Sequence, residues 1–137
     1  PSKRRDKQAD HVIPLSRQAL ELLDRIKKLN LAPEDSPYLF PAGTDNVLPD
    51  TAFASAMKIM GVGSDTQTAF GMRYCAEAIM KHEFSPKEIT LKDVTVVVKT
   101  FLDAVTADGR PQYPPDIFMK QRAELAQWWA DKLEGKI

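Results

Sequence analysis

The chain has 137 residues, of which 43% are hydrophobic and 28% charged, with 19 basic and 19 acidic side chains. That composition excludes a disordered tail and a collagen-like chain, and no apolar run approaches the ~20 residues of a membrane-spanning helix. Zero net charge argues against a domain that holds nucleic acid by bulk charge alone. One cysteine (Cys75) and two histidines (His11 and His82) offer neither an internal disulfide nor a structural zinc site.

The length predicts a single domain, residues 1–137. The start, Pro1-Ser2-Lys3-Arg4-Arg5, has neither a secretory signal nor an initiator Met and reads as an excised piece of a longer cytoplasmic protein. Charge is uneven: residues 1–30 carry eight basic and four acidic side chains, the remainder 11 and 15. The basic end suits either a phosphate backbone or plain solvation.

In chain order, His11-Val12-Ile13-Pro14-Leu15 is short, β-branched and closed by proline. It predicts one arm of a small antiparallel β-hairpin near the N-terminus. Ser16 is placed to cap a helix carrying Leu20, Leu22, Leu23, Ile26 and Leu29, with Lys27 and Lys28 at its C-terminal end. Residues 30–49 read as a proline-rich loop with Tyr38-Leu39-Phe40 as an apolar anchor. Asp50 is the next expected N-cap, for a helix of about three turns with Phe53, Met57 and Met60 on one face and Gly61 just past its end.

A third helix is expected from Thr68 or Phe70 to His82, burying Met72, Cys75, Ala76, Ile79 and Met80. Ser85-Pro86-Lys87-Glu88 has the spacing of a capping box. After it, the valines at 94 and 96–98 favour strand by propensity, but Val94, Val97, Val98, Phe101, Leu102 and Val105 repeat with helical period, and helix is the reading chosen. Asp108-Gly109-Arg110-Pro111 ends that element. Pro115 opens a last helix to Leu133, with Phe118, Arg122, Leu125, Trp129 and Leu133 along one face. The fold class is therefore mostly α with a small β element.

Generic catalytic signatures are missing. Gly61-Val62-Gly63 lacks the third glycine and the preceding strand of a phosphate-binding loop, and there is neither a nucleophile-elbow serine nor an HExxH motif. A less generic pattern is spread over four segments: His11 to Leu20 (HVIPLSRQAL), Tyr38-Leu39-Phe40-Pro41, Thr68-Ala69-Phe70-Gly71-Met72-Arg73, and Tyr113 followed by Gln121-Arg122 and Gln127 to Leu133 (QWWADKL). In order and spacing this resembles the C-terminal catalytic domain of tyrosine recombinases, specifically the integrases of temperate phages and genomic islands. The likeness runs from about Lys3 to Leu133.

The resemblance implies a truncated form of the DNA breaking–rejoining fold, no cofactor or metal, and double-stranded DNA attachment sites as partner, with self-assembly on the DNA. The implied reaction is attack by a tyrosine hydroxyl on a backbone phosphate, giving a 3′-phosphotyrosine and a free 5′-hydroxyl. Arginines clamp the phosphate, because their planar fork matches its developing charge, and a hairpin lysine protonates the leaving oxygen.

Carried over by position, Tyr113 is the nucleophile, 15 residues before Trp128, and Arg73 is the clamp of the His-Gly-Phe-Arg turn. Lys7 is the hairpin lysine, with Lys3 as competitor. His11, Trp128 and Trp129 fall in structural roles. Phe70 stands where that turn has its histidine, and Asp103 where a second histidine precedes the tyrosine; a shifted register would bring Lys92 or Asp93 there instead. Pro114-Pro115 replaces the Asn-Arg after the tyrosine. The family's first clamp arginine maps upstream of residue 1, so the isolated chain is expected to be inactive. A non-catalytic or decayed module for DNA binding or assembly is the alternative, and an unrelated helical domain the third.

Overall fold

A computed structural model describes residues 11–29, 38–42, 46–49, 51–63, 65–105 and 112–137. The element order is α1 (Arg17–Lys28), β1 (Pro41–Ala42), β2 (Asn46–Val47), α2 (Ala52–Ile59), α3 (Ala69–Glu83), α4 (Leu91–Phe101) and α5 (Met119–Leu133). The chain divides into two compact units, one of Pro1–Arg17 with Cys75–Ile137, the other Gln18–Tyr74. The mostly helical expectation holds.

The hairpin near the N-terminus does not. Residues 11–15 form no strand. Pro14 has no amide to donate, and the Val12 carbonyl is taken by the Arg122 guanidinium instead of a neighbouring strand. The sheet among the described residues is a two-residue antiparallel pair, with Pro41 opposite Val47 and Ala42 opposite Asn46. Lys3, Lys7, Asp50 and the breaker at 108–111 lie outside the described residues.

The first unit holds the hydrophobic core. Met80 and Phe84 at the end of α3, Val94, Val97 and Val98 of α4, and Leu125 of α5 are buried together. Ala76, Ile89, Phe101, Leu102, Phe118, Trp128 and Trp129 pack around them. The valine run is helical because its helical spacing turns Val94, Val97 and Val98 onto this core, and that burial outweighs the modest cost of β-branching.

The start of α4 differs from the expected one. Ser85–Glu88 is not its cap: Glu88 instead meets Lys120 of α5 at 2.8 Å. The capping box forms five residues later. The Thr90 hydroxyl accepts from the Asp93 amide at 3.3 Å, and the Asp93 carboxylate accepts from the Thr90 amide at 3.1 Å.

α5 begins at Met119 rather than Pro115, after Phe118 in the left-handed region (φ 53°). Its other end closes with Lys136 N donating to Asp131 O (2.9 Å) and Gly135 N to Lys132 O (3.0 Å), the paired bonds that a left-handed glycine permits. Of the face predicted from sequence, Arg122 and Leu125 are buried, whereas Leu133 is exposed. Trp128 packs on Phe84 at 5.6 Å between ring centroids, with the Lys132 ammonium over its ring.

In the second unit, Gly61 follows the end of α2 at φ 83°, as the sequence predicts, but the helix starts after Thr51 rather than Asp50 and runs eight residues rather than about three turns. α3 starts because the Thr68 hydroxyl accepts from the Gly71 amide at 3.0 Å. On α3, the expectation of buried Met72 and Cys75 fails, since both are exposed. Tyr38, Leu39 and Phe40 are exposed too. No residue of α1 is buried.

Candidate functional site

Four of the residues in question belong to the first unit: His11, Asp103, Tyr113 and Arg122. Asp103 is fixed by the way α4 ends. Its amide donates to Thr100 O (3.1 Å) and the following Ala104 amide to Lys99 O (2.8 Å), while Asp103 itself takes φ 52°. That position usually falls to glycine, and a side chain there is held against a steric cost. The carboxylate is thereby set at the C-terminal end of α4, where an anion gains nothing from the helix dipole. A polar ring faces it: His11 Nδ1 lies 3.8 Å from Asp103 Oδ1. The other ring nitrogen, His11 Nε2, is buried without a hydrogen-bond partner among the described residues.

Tyr113 reaches this neighbourhood through the backbone. The Gln112 amide donates to Ala104 O at 3.0 Å, so the chain returns alongside the segment that follows α4. Asp103 immediately precedes one member of that bonded pair and Tyr113 immediately follows the other. Tyr113 is half-buried. Beyond it, Ile117 N closes a turn onto Pro114 O (3.3 Å) before α5 begins.

Arg122 was read from sequence as one member of a helix face and as part of the segment after Tyr113, with no role of its own. Its side chain is completely buried. One Nη1 bond runs to Pro115 O at 2.6 Å with Met119 Sδ at 3.2 Å, and Nη2 donates to Val12 O. Nε has no partner among the described residues. Loss of water lowers the pKa of this guanidinium below the ordinary arginine value. The sequence signal for its role is weak: an arginine at a position whose helical neighbours are apolar, four residues after Phe118 and three before Leu125.

Gln127 was missed as well. Its carbonyl oxygen accepts from the Arg17 amide, the first of α1, at 3.1 Å, and its amide donates to Asp131 at 3.1 Å. It meets one of the unpaired amides at the N-terminus of α1 from a residue 110 positions away.

Phe70 and Arg73 belong to the other unit. They sit three apart in the first turns of α3, hence on one face, and both are exposed, Phe70 by 73%. An aromatic ring at position 70 can neither give nor take a proton. Lys92 and Asp93, the alternatives to Asp103, lie in the first turn of α4; Asp93 is committed to the Thr90 cap. Among the described residues no group of three or more His, Cys, Asp or Glu side chains is gathered as a metal would need. No helix among them is long and apolar enough to cross a membrane.

Comparison with known proteins finds relatives of one kind. The chain is 27% identical over 137 residues to the prophage integrase IntA of Escherichia coli K12, covering 98% of this chain and 30% of that protein. It is 27% identical over 129 residues to the integrase of Enterobacteria phage P4, and 26% identical over 129 residues to that of Shigella phage Sf6. It spans about 30% of the length of these curated relatives. No family model matches, and no solved structure does. Over nearly its whole length the chain is thus similar to part of the integrases of phages and prophages.

Proposed function

We propose that the chain is the C-terminal catalytic part of a tyrosine recombinase of the integrase type, and that within the longer protein it cleaves and rejoins double-stranded DNA at attachment sites. The similarity to phage and prophage integrases over 98% of the chain carries this reading. In it, Tyr113 Oη attacks the phosphate and the bond to the 5′-oxygen breaks. The 5′-oxygen takes a proton from Lys7, and the phenolic proton passes to Asp103. The phosphodiester survives as a 3′-phosphotyrosine, so rejoining runs the same steps backwards and consumes no ATP.

Arg73 neutralises charge on the nonbridging oxygens, a contribution of about two to four kcal/mol to the barrier for one such contact. Asp103 replaces a histidine, and a bare carboxylate near phosphate is repelled. The His11 ring supports the substitution, because its Nδ1 faces that carboxylate at 3.8 Å. In this reading the chain acts with further copies on DNA in the cytoplasm.

Phe70 favours a second reading. Where a proton-transferring histidine is expected there is an exposed phenyl ring, which suits a non-catalytic module that binds DNA or assembles on it. The decisive test is covalent capture. The integrase that carries this chain and its Tyr113→Phe variant are incubated with nicked attachment-site DNA and run on a denaturing gel. A shifted band that depends on Tyr113 is the expected outcome. Salt-dependent DNA binding with no band in either protein would establish the non-catalytic module.

A further inference from the structure

We propose that Arg122 is a positioning residue for Tyr113: its buried guanidinium clasps Pro115 O, two residues past the tyrosine, to Val12 O and so fixes where the phenol points. The proposal rests on the catalytic reading of Tyr113 given above.

Three observations support it. The first is the cost of the arrangement. A cation removed from water is expensive unless its new partners replace the lost hydration, and Arg122 is 0% exposed. An apolar side chain of similar volume would fill the same space on α5 without that cost. The second is the choice of acceptors. Both are backbone carbonyls from stretches outside regular structure: residues 11–15 have no strand and residues 112–118 form bends and turns. Neither stretch has a ladder of its own to hold it. Two divergent acceptors are within reach of one planar fork, and a lysine ammonium would reach one of them.

The third is where the clasp falls. The stretch bearing Tyr113 is tied at Gln112 to Ala104 on one side and at Pro115 to Arg122 on the other. The tyrosine sits between the two ties. The second arm of Arg122 holds Val12, next to His11, and His11 faces Asp103. One side chain therefore sets the register of the nucleophile and of the His11–Asp103 pair together.

The test compares Arg122→Met and Arg122→Lys with the wild type. Hydrogen exchange of the 137-residue chain reports the clasp. In Arg122→Met, the amides of Val12, Ile13, Leu15, Ser16, Gln112, Tyr113 and residues 116–118 should exchange about tenfold faster while those of α4 keep their protection. Covalent capture in the integrase reports its consequence. The rate of adduct formation should fall on the order of 100-fold, as expected for a nucleophile displaced by about an ångström, with DNA affinity unchanged. Arg122→Lys, which keeps one arm, should recover part of that rate.

Faster exchange spread equally over α3, α4 and α5, with adduct loss tracking the folded fraction, would make Arg122 an ordinary core residue and overturn the proposal. So would an unchanged adduct rate in well-folded Arg122→Met. A wild-type integrase that forms no Tyr113 adduct removes the catalytic reading and this role with it; in that case the exchange arm still shows whether the clasp exists.

Discussion

Asp103 combines two demands in one residue. It occupies a left-handed position that glycine takes without strain, and it carries the carboxylate that faces His11. The two demands separate on substitution. Asp103→Ala keeps the steric penalty and loses the polar side chain that makes this conformation tolerable, so it should lower stability by about 1 kcal/mol. Asp103→Gly relieves the strain and should unfold at a urea concentration no lower than the wild type, while adduct formation in the integrase falls with both. Equal denaturation midpoints for the two variants would show that the left-handed backbone is not strained there. The position was legible in the sequence as a replaced histidine, by counting back from Tyr113. Its backbone conformation was not, since it depends on where α4 ends. His11 and Arg122 were each visible as residue types, but their contacts were not, because the partners lie 92 and 110 residues away.

Helix starts show what a local pattern can and cannot settle. Ser85-Pro86-Lys87-Glu88 and Thr90-Leu91-Lys92-Asp93 both have the spacing of a capping box, and only the second forms one. The first loses because the Glu88 carboxylate is drawn to Lys120 of α5, and because a helix from Thr90 still presents Val94, Val97 and Val98 to the core. Hydrogen bonds from the Thr90 side chain and backbone hold Asp93 below the ordinary carboxylate pKa. A carboxylate with a lowered folded value stabilises the folded state fully above the ordinary value of about 3.9, and that contribution disappears as pH falls through the lower folded value. Thr90→Ala should therefore lower the thermal midpoint by a few degrees at neutral pH. It should also flatten the loss of stability as pH falls below the ordinary carboxylate value of about 3.9. Parallel pH profiles for the two proteins would rule out the Thr90–Asp93 cap as their source.

At the scale of the whole molecule, the buried cluster among the described residues is small and lies in the first unit. Leu125 is fully buried at its centre, against residues of α3 and α4. Leu125→Ala should cost about 2–5 kcal/mol in urea denaturation, the range for an apolar truncation that leaves a cavity. A cost well under 1 kcal/mol would mean that the three helices do not share a tight core. The sequence by itself determined the helical class, the glycine that ends α2, the helical choice for the valine run, and the likeness to integrases. Each of these depends on spacing within a few turns, on residue type, or on motif order. The tertiary structure alone decided which capping box closes, which carbonyl Arg122 takes, that His11 answers Asp103, and that Tyr113 returns beside the end of α4. Those outcomes depend on competition between partners far apart in the chain for the same hydrogen bonds and the same buried volume. A pattern read along the sequence does not contain that competition.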